Sequence, residues 1–184
     1  MNTYYIVLKK SEIGVKEMRK TISVVFVIYF VSLLFLLVGC RSKESYKKEI
    51  EQKGMTYSSE SFLKEVKEGN KKTVELFMRA GIDTNAKGVD GRTALIIASN
   101  FGQIDIVKLL IKKGADVNGR DNEGRTALMA ASGSGQIEMV KLLLEESADV
   151  NVRDNKGWTA LMVASDLKKF EIAELLIKAE RKNK

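Results

Sequence analysis

Gly119-Arg120-Asp121-Asn122-Glu123-Gly124-Arg125-Thr126 carries the glycine and threonine spacing of a phosphate-binding loop. Such a loop needs a lysine for the phosphates and a buried strand before it. Arg125 stands in the lysine position here. Asp116-Val117-Asn118-Gly119-Arg120-Asp121 has the carboxylates of a calcium loop, with Arg120 where an oxygen ligand belongs and its glycine misplaced. Ser132-Gly133-Ser134-Gly135 offers hydroxyls, but the chain has no histidine to act as their base. The same absence removes His-ligated metal sites, and one cysteine excludes an internal disulfide and thiolate metal clusters. Glu145-Glu146 is a carboxylate pair at a solvated helix end. No catalytic, cofactor or metal constellation emerges, and the expectation is a non-enzyme.

The elements that position these residues explain them better. Gly91-Arg92-Thr93-Ala94-Leu95 returns as Gly124-Arg125-Thr126-Ala127-Leu128 and as Gly157-Trp158-Thr159-Ala160-Leu161, at one constant interval. Ala98, Ala131 and Ala164 keep the same register, as do Gly102 and Gly135, and Leu109-Leu110, Leu142-Leu143 and Leu175-Leu176. Asn118 and Asn151 close Gly-Ala-Asp-Val and Ser-Ala-Asp-Val. A fixed period of this length means stacked units that bury their faces only against neighbours. Thr93, Thr126 and Thr159 each precede an apolar run and can cap a helix. Ile104, Val107 and Leu110, and again Ile137, Val140 and Leu143, form the stripe of a second helix. Gly114 falls where a left-handed helix end is expected.

Positions 57–180 resemble the ankyrin repeat, whose pattern is Asp-x-x-Gly-x-Thr-Pro-Leu-His-x-Ala-Ala, then Gly, then Val-x-x-Leu-Leu, then Gly-Ala-x-x-Asn. The resemblance implies a mainly α solenoid of β-hairpin and helix-turn-helix units: a cap over 57–87, repeats over 88–120, 121–153 and 154–180, and a basic tail over 181–184. The first unit lacks the Gly-x-Thr-x-Leu start, with Ser58 or Ser59 as its helix cap and Gly69-Asn70 as its turn. The last unit ends in Lys178 to Lys184 and has Lys168 in place of the turn glycine, so it reads as the opposite cap. Alanine replaces the family's proline (Ala94, Ala127, Ala160), and Ile96, Met129 and Met162 replace its histidine. The Thr–His hydrogen bond is therefore lost and apolar packing must replace it. Ser147 stands where glycine is expected.

Resemblance to this family also implies a protein partner met at hairpin tips and first-helix ends. Matching positions are Val89, Asp90, Arg92, Asn100 and Phe101; Asn122, Glu123, Arg125, Gly133 and Ser134; and Asn155, Lys156, Trp158, Asp166 and Leu167. Phe101 and Trp158 stand out, since exposed aromatics are enriched among binding hot spots. Packing of Trp158 on a neighbouring hairpin is the competing reading. Net charge is +7, yet 57–177 holds 17 Lys/Arg against 18 Asp/Glu, so the basic residues sit at the ends. A nucleic-acid binder concentrates positive charge on its folded face. No nucleic-acid partner is expected.

Ahead of the repeats, Arg19-Lys20 precedes an uncharged apolar run from Thr21 to Val38. Its length fits a long signal segment or a short transmembrane helix. Leu37-Val38-Gly39-Cys40 resembles the lipobox of bacterial lipoproteins. The resemblance implies removal of 1–39 and a lipid on Cys40; a transmembrane helix ending at an incidental cysteine is the alternative. Met18 is a candidate start, and the flanking charges are too balanced to give orientation. Residues 40–56 alternate in charge and have few large apolar side chains, predicting a mobile tether that spans about 20–25 Å. Together these features predict an ankyrin-type binding module tethered to a bacterial envelope membrane. The runner-up is an inhibitor or immunity-type regulator of a secreted or envelope enzyme, and an enzyme with an atypical site ranks last.

Overall fold

A computed structural model describes residues 41–182. The signal segment and Cys40 lie outside the described residues. Nine helices occur among the described residues: α1 Lys43–Gln52, α2 Ser59–Glu68, α3 Lys71–Arg79, α4 Ala94–Asn100, α5 Ile104–Lys112, α6 Ala127–Ser134, α7 Ile137–Glu145, α8 Ala160–Asp166 and α9 Phe170–Lys182. From α2 onward they form four antiparallel pairs, and the first helix of each pair packs against that of the next. None of the described helices is long and apolar enough to cross a membrane.

Capping sets where the helices start. Ser58, Thr93, Thr126 and Thr159 each hold an extended backbone while the hydroxyl accepts the N–H three residues on. The alanines behind them (Ala94, Ala98, Ala127, Ala131, Ala160, Ala164) are all buried, which lets neighbouring helices approach closely. The side chains that stand in for the family's histidine are buried in two copies, Ile96 and Met129. In the second helices the buried stripe is Ile106, Val107 and Leu110, then Met139, Val140 and Leu143. Ile104 and Ile137 of the expected stripe are only half-buried.

Between units the chain forms tight tips rather than a β-ladder. One bridge, Lys87 with Thr93, is the nearest approach to a hairpin among the described residues. Each tip closes with the same pair of backbone bonds: Gly88 N–H to Arg92 O and Gly91 N–H to Gly88 O in the first. Asp121 with Arg125 and Gly124 with Asp121 repeat them, as do Asp154 with Trp158 and Gly157 with Asp154. Tips of this length leave no room for strands.

Among the described residues two non-glycine residues adopt left-handed backbone, Ser147 (φ 64°) and Lys168 (φ 54°). They stand where Gly114 (φ 86°) and Gly135 (φ 74°) sit in the preceding unit. Glycine adopts this conformation without the Cβ penalty. Ser147→Gly is expected to raise stability by about 0.5–1 kcal/mol in urea unfolding, and a loss would show that its side chain is held by something else.

Three expectations change. The segment read as a mobile tether contains α1, which packs on α3. Ile50 is fully buried there, and half-buried Tyr46, Met55 and Tyr57 pack against the same core. The Tyr57 ring stacks on Phe77 at 6.0 Å and its hydroxyl donates to Ala80 O. Few apolar residues suffice because they fall on one side of the helix and its turn. α9 continues to Lys182, past residue 181 where the basic tail was expected to start. The last unit is also less of a cap than the first: Leu161 is half-buried and Met162 and Ser165 are exposed, whereas their counterparts in both preceding copies are buried.

Candidate protein-binding groove

Two aspartates in the same register, Asp121 and Asp154, organise the later tips. Asp121 is buried; its carboxylate accepts the N–H of Glu123 and of Arg125 and the Nε–H of Arg125, each at 2.9 Å. Asp154 accepts the N–H of Lys156 and of Trp158 at 2.9 and 2.8 Å. With Trp158 in the arginine position, Asp154 lacks the guanidinium that Asp121 has. In the first tip Gly88 stands at this position, and Asp90 takes over part of the task from further along the tip. Its carboxylate receives the Arg92 N–H and guanidinium, which holds it below the usual carboxylate range.

Tips are then joined to one another. Asn122 Nδ2 donates to Val89 O and its N–H to Asp90 O; Asn155 Nδ2 donates to Asn122 O and its N–H to Glu123 O. The approach is close enough that a Cβ on Gly91 would lie 2.6 Å from the Asn122 nitrogen. Gly91 also has φ 74°, so no other residue fits that corner. Asn122 and Asn155 therefore stack the tips, a structural duty that the resemblance did not indicate.

Between the tips and the first helices runs a groove of about 230 Å³. Arg92, Asp121, Arg125 and Asp154 form its tip side, and Ile96, Asn100, Met129, Ala130, Gly133, Ser134 and Val163 its helix side. Ser134 Oγ donates to Asn100 Oδ1 at 2.7 Å, tying two units together at the rim. Of the residues expected to meet a partner, Arg92, Asn100, Arg125, Gly133 and Ser134 converge on this groove. Val89 is 92% exposed on the first tip, and Asn122, Glu123, Asn155 and Lys156 are exposed on the later tips. Glu123 pairs with Arg125 at 3.2 Å. Phe101, Trp158 and Leu167 are exposed, as is Asp166.

Sequence reasoning missed Ile96, Asp121, Met129, Ala130, Asp154 and Val163 as groove residues. For the two aspartates the signal was available: Asp121-x-x-Gly124 and Asp154-x-x-Gly157 both match the start of the repeat pattern. For the apolar floor no signal exists, since a buried side chain that borders a groove and one enclosed in the core look alike in sequence.

The loop motifs have structural duties. Gly119–Thr126 spans a connection and a tip and ends at the cap of α6, with no strand before it. Ser132 Oγ is buried and donates to Leu128 O at 2.7 Å. Among the described residues no group of three His, Cys, Asp or Glu side chains is placed to hold a metal ion.

A family described as ankyrin repeats in three copies matches residues 62–154 and 120–184, about two thirds of the chain together. The chain belongs to the ankyrin-repeat family. Its repeats make it a protein–protein interaction module. No curated protein matches the chain. The ankyrin architecture accounts for the shared corner, with Gly91, Gly124 and Gly157 turning the tip and Thr93, Thr126 and Thr159 capping the helix. Within that corner only the residue between Gly and Thr is free to vary, and it is Arg92, Arg125 or Trp158.

Proposed function

We propose that the ankyrin groove lined by Arg92, Asn100, Arg125, Gly133 and Ser134 binds a protein partner, and that Cys40 holds the module on a bacterial envelope membrane. The observation that carries the binding reading is the groove itself: an apolar floor beside a row of fixed charged and amide groups, running across three units. Such surfaces combine area with a few oriented polar groups. Exposed Phe101 and Trp158 border it in sequence register and supply the aromatic anchors such interfaces use. Leu37-Val38-Gly39-Cys40 supports the membrane reading, with the sole cysteine at the position the lipid chemistry requires.

Crosslinking in intact cells followed by mass spectrometry tests the binding reading. Ser134→Arg and Phe101→Ala are expected to lower recovery of the crosslinked protein about fivefold or more each, roughly the effect of a contact worth 1 kcal/mol. Lys112→Ser, on the exposed face of α5, should leave recovery unchanged. Equal recovery from all three variants would overturn the groove as the binding surface. For the anchor, Cys40→Ala is expected to abolish fatty-acid labelling and signal cleavage. Normal processing of that variant would overturn the lipoprotein reading and leave the groove untouched.

A further inference from the structure

Two tips repeat one carboxylate, and its two oxygens are served differently in each. The Asp121 side chain is fully enclosed. Its Oδ1 accepts the N–H of Glu123 and of Arg125, and its Oδ2 accepts the Nε–H of Arg125. In the next tip Asp154 Oδ1 accepts the N–H of Lys156 and of Trp158 in the same way. Asp154 Oδ2 takes no hydrogen bond and no ion pair among the described residues. One residue makes the difference: Trp158 stands in the register of Arg125, and an indole brings no positive charge.

Neighbouring arginines do not make up for it. Arg92 is held by Asp90, and Arg125 by Asp121 and Glu123. Arg120 donates to Gly124 O and Arg153 O, and Arg153 donates to Gly157 O. Of the four charged residues that line the groove, Arg92, Asp121 and Arg125 are therefore paired and Asp154 is not. Asp154 lines the groove beside Arg125, Met129 and Ala130 of the preceding unit, and the Asn155 N–H to Glu123 O bond fastens the two tips together. Its place in the groove is thus set by the unit before it.

We propose that Asp154 receives an arginine side chain of the protein partner, which brings to this tip the guanidinium that Arg125 brings to the one before. The inference rests on the groove being the binding surface. Asp154 is half-buried beside apolar side chains, where an opposite charge is attracted more strongly than in open water. A guanidinium suits this setting better than an ammonium. It is planar and weakly hydrated, so it can lie on the floor of Met129, Ala130 and Val163 while one edge donates to Oδ2. Asp154 is then the residue that sets which side chain the groove selects.

Panning a displayed library of random linear peptides against the full chain in detergent tests this, with the Ser134→Arg chain panned in parallel. Peptides enriched by the parent and not by Ser134→Arg are the ones that need the groove. Among these, arginine is expected at one fixed position. Citrulline there keeps the shape without the charge and should weaken binding about tenfold. Asp154→Asn should weaken the arginine peptide by a similar factor and leave the citrulline peptide unaffected. Asparagine keeps the oxygen that accepts the two N–H groups, so the circular dichroism spectrum should not change. Glu174→Gln, on an exposed position of α9, should bind like the parent. Groove-dependent peptides that lack a fixed arginine, that bind equally well with lysine there, or that tolerate Asp154→Asn overturn this inference and leave the groove standing. If Ser134→Arg enriches the same peptides as the parent, or neither chain enriches any, the groove reading falls and this inference with it.

Discussion

Asp121→Ala is expected to destabilise the repeat domain by about 2–4 kcal/mol in urea unfolding. Its side chain is wholly buried and accepts three hydrogen bonds, two from backbone N–H groups and one from the Arg125 guanidinium. Alanine leaves the two backbone donors without their acceptor. The Arg125 N–H sits at a half-buried tip, so water replaces the lost oxygen poorly. The loss spreads further because this tip is bonded on both sides, to Asp90 O through the Asn122 N–H and from Asn155 to Glu123 O. Asp90→Ala provides the comparison, since Asp90 binds the Arg92 N–H and guanidinium in the first tip. Its carboxylate is exposed and its tip has a bonded neighbour on one side only, so a loss of about 1 kcal/mol is expected. If Asp121→Ala unfolds at the same urea concentration as the parent, or no earlier than Asp90→Ala, the carboxylate does not hold the tip together. Partner crosslinking by Asp121→Ala should fall too, because Arg125 loses the group that fixes its place in the groove.

Ile50→Ala is the second large effect, expected at about 2–4 kcal/mol. Ile50 is the only fully buried side chain of α1, and the short linker closes on it through the Met55 N–H to Ile50 O bond. A ten-residue helix is marginal in water without tertiary packing. Removing its anchor should therefore release the whole helix rather than leave a filled-in cavity. Hydrogen exchange reads this directly: α1 amides should lose protection while α4 through α8 keep theirs. Tyr57 should follow α1, since Lys47 lies over its ring at 4.9 Å from the centroid. Retained protection in α1 would mean that Tyr46 and the other half-buried contacts suffice without Ile50. The physical consequence concerns reach: residues 43–57 belong to the folded body, so they are not available as a flexible spacer.

Much of the architecture was legible because a repeat states the same solution several times. Thr93, Thr126 and Thr159 mark helix starts chemically, since only a short side-chain oxygen can accept the N–H three residues on. Ser147 was recognisable as strained because Gly81 and Gly114 hold its position in the preceding units. α1 was not legible, because charge alternation and low apolar content describe a solvated tether and a one-sided surface helix equally well. The hairpin strands implied by the resemblance shrink to one bridge, because tips closed over so few residues leave no paired backbone.

The candidate groove divides along the same line. Arg92, Asn100, Arg125 and Ser134 were reachable by register alone, whereas Met129 and Val163 entered the groove only once neighbouring helices were placed. Asn122 and Asn155 were among the expected binding residues, yet their amides are occupied in holding successive tips. Register specifies which residues are equivalent, but not which equivalents have a neighbour to bond.

By itself the sequence determined the period, the units, the helix caps and the family, because these follow from local backbone chemistry repeated at a constant interval. Tertiary structure alone decided that α1 docks, that Asp121 is more deeply buried than its counterpart Asp154, and that Met162 is uncovered while Ile96 and Met129 are not. The reason for the last two is shared, and α1 follows it in a looser way. Identical positions in a stack differ only in what stands on either side of them, and that is a property of the assembled array, not of any one copy.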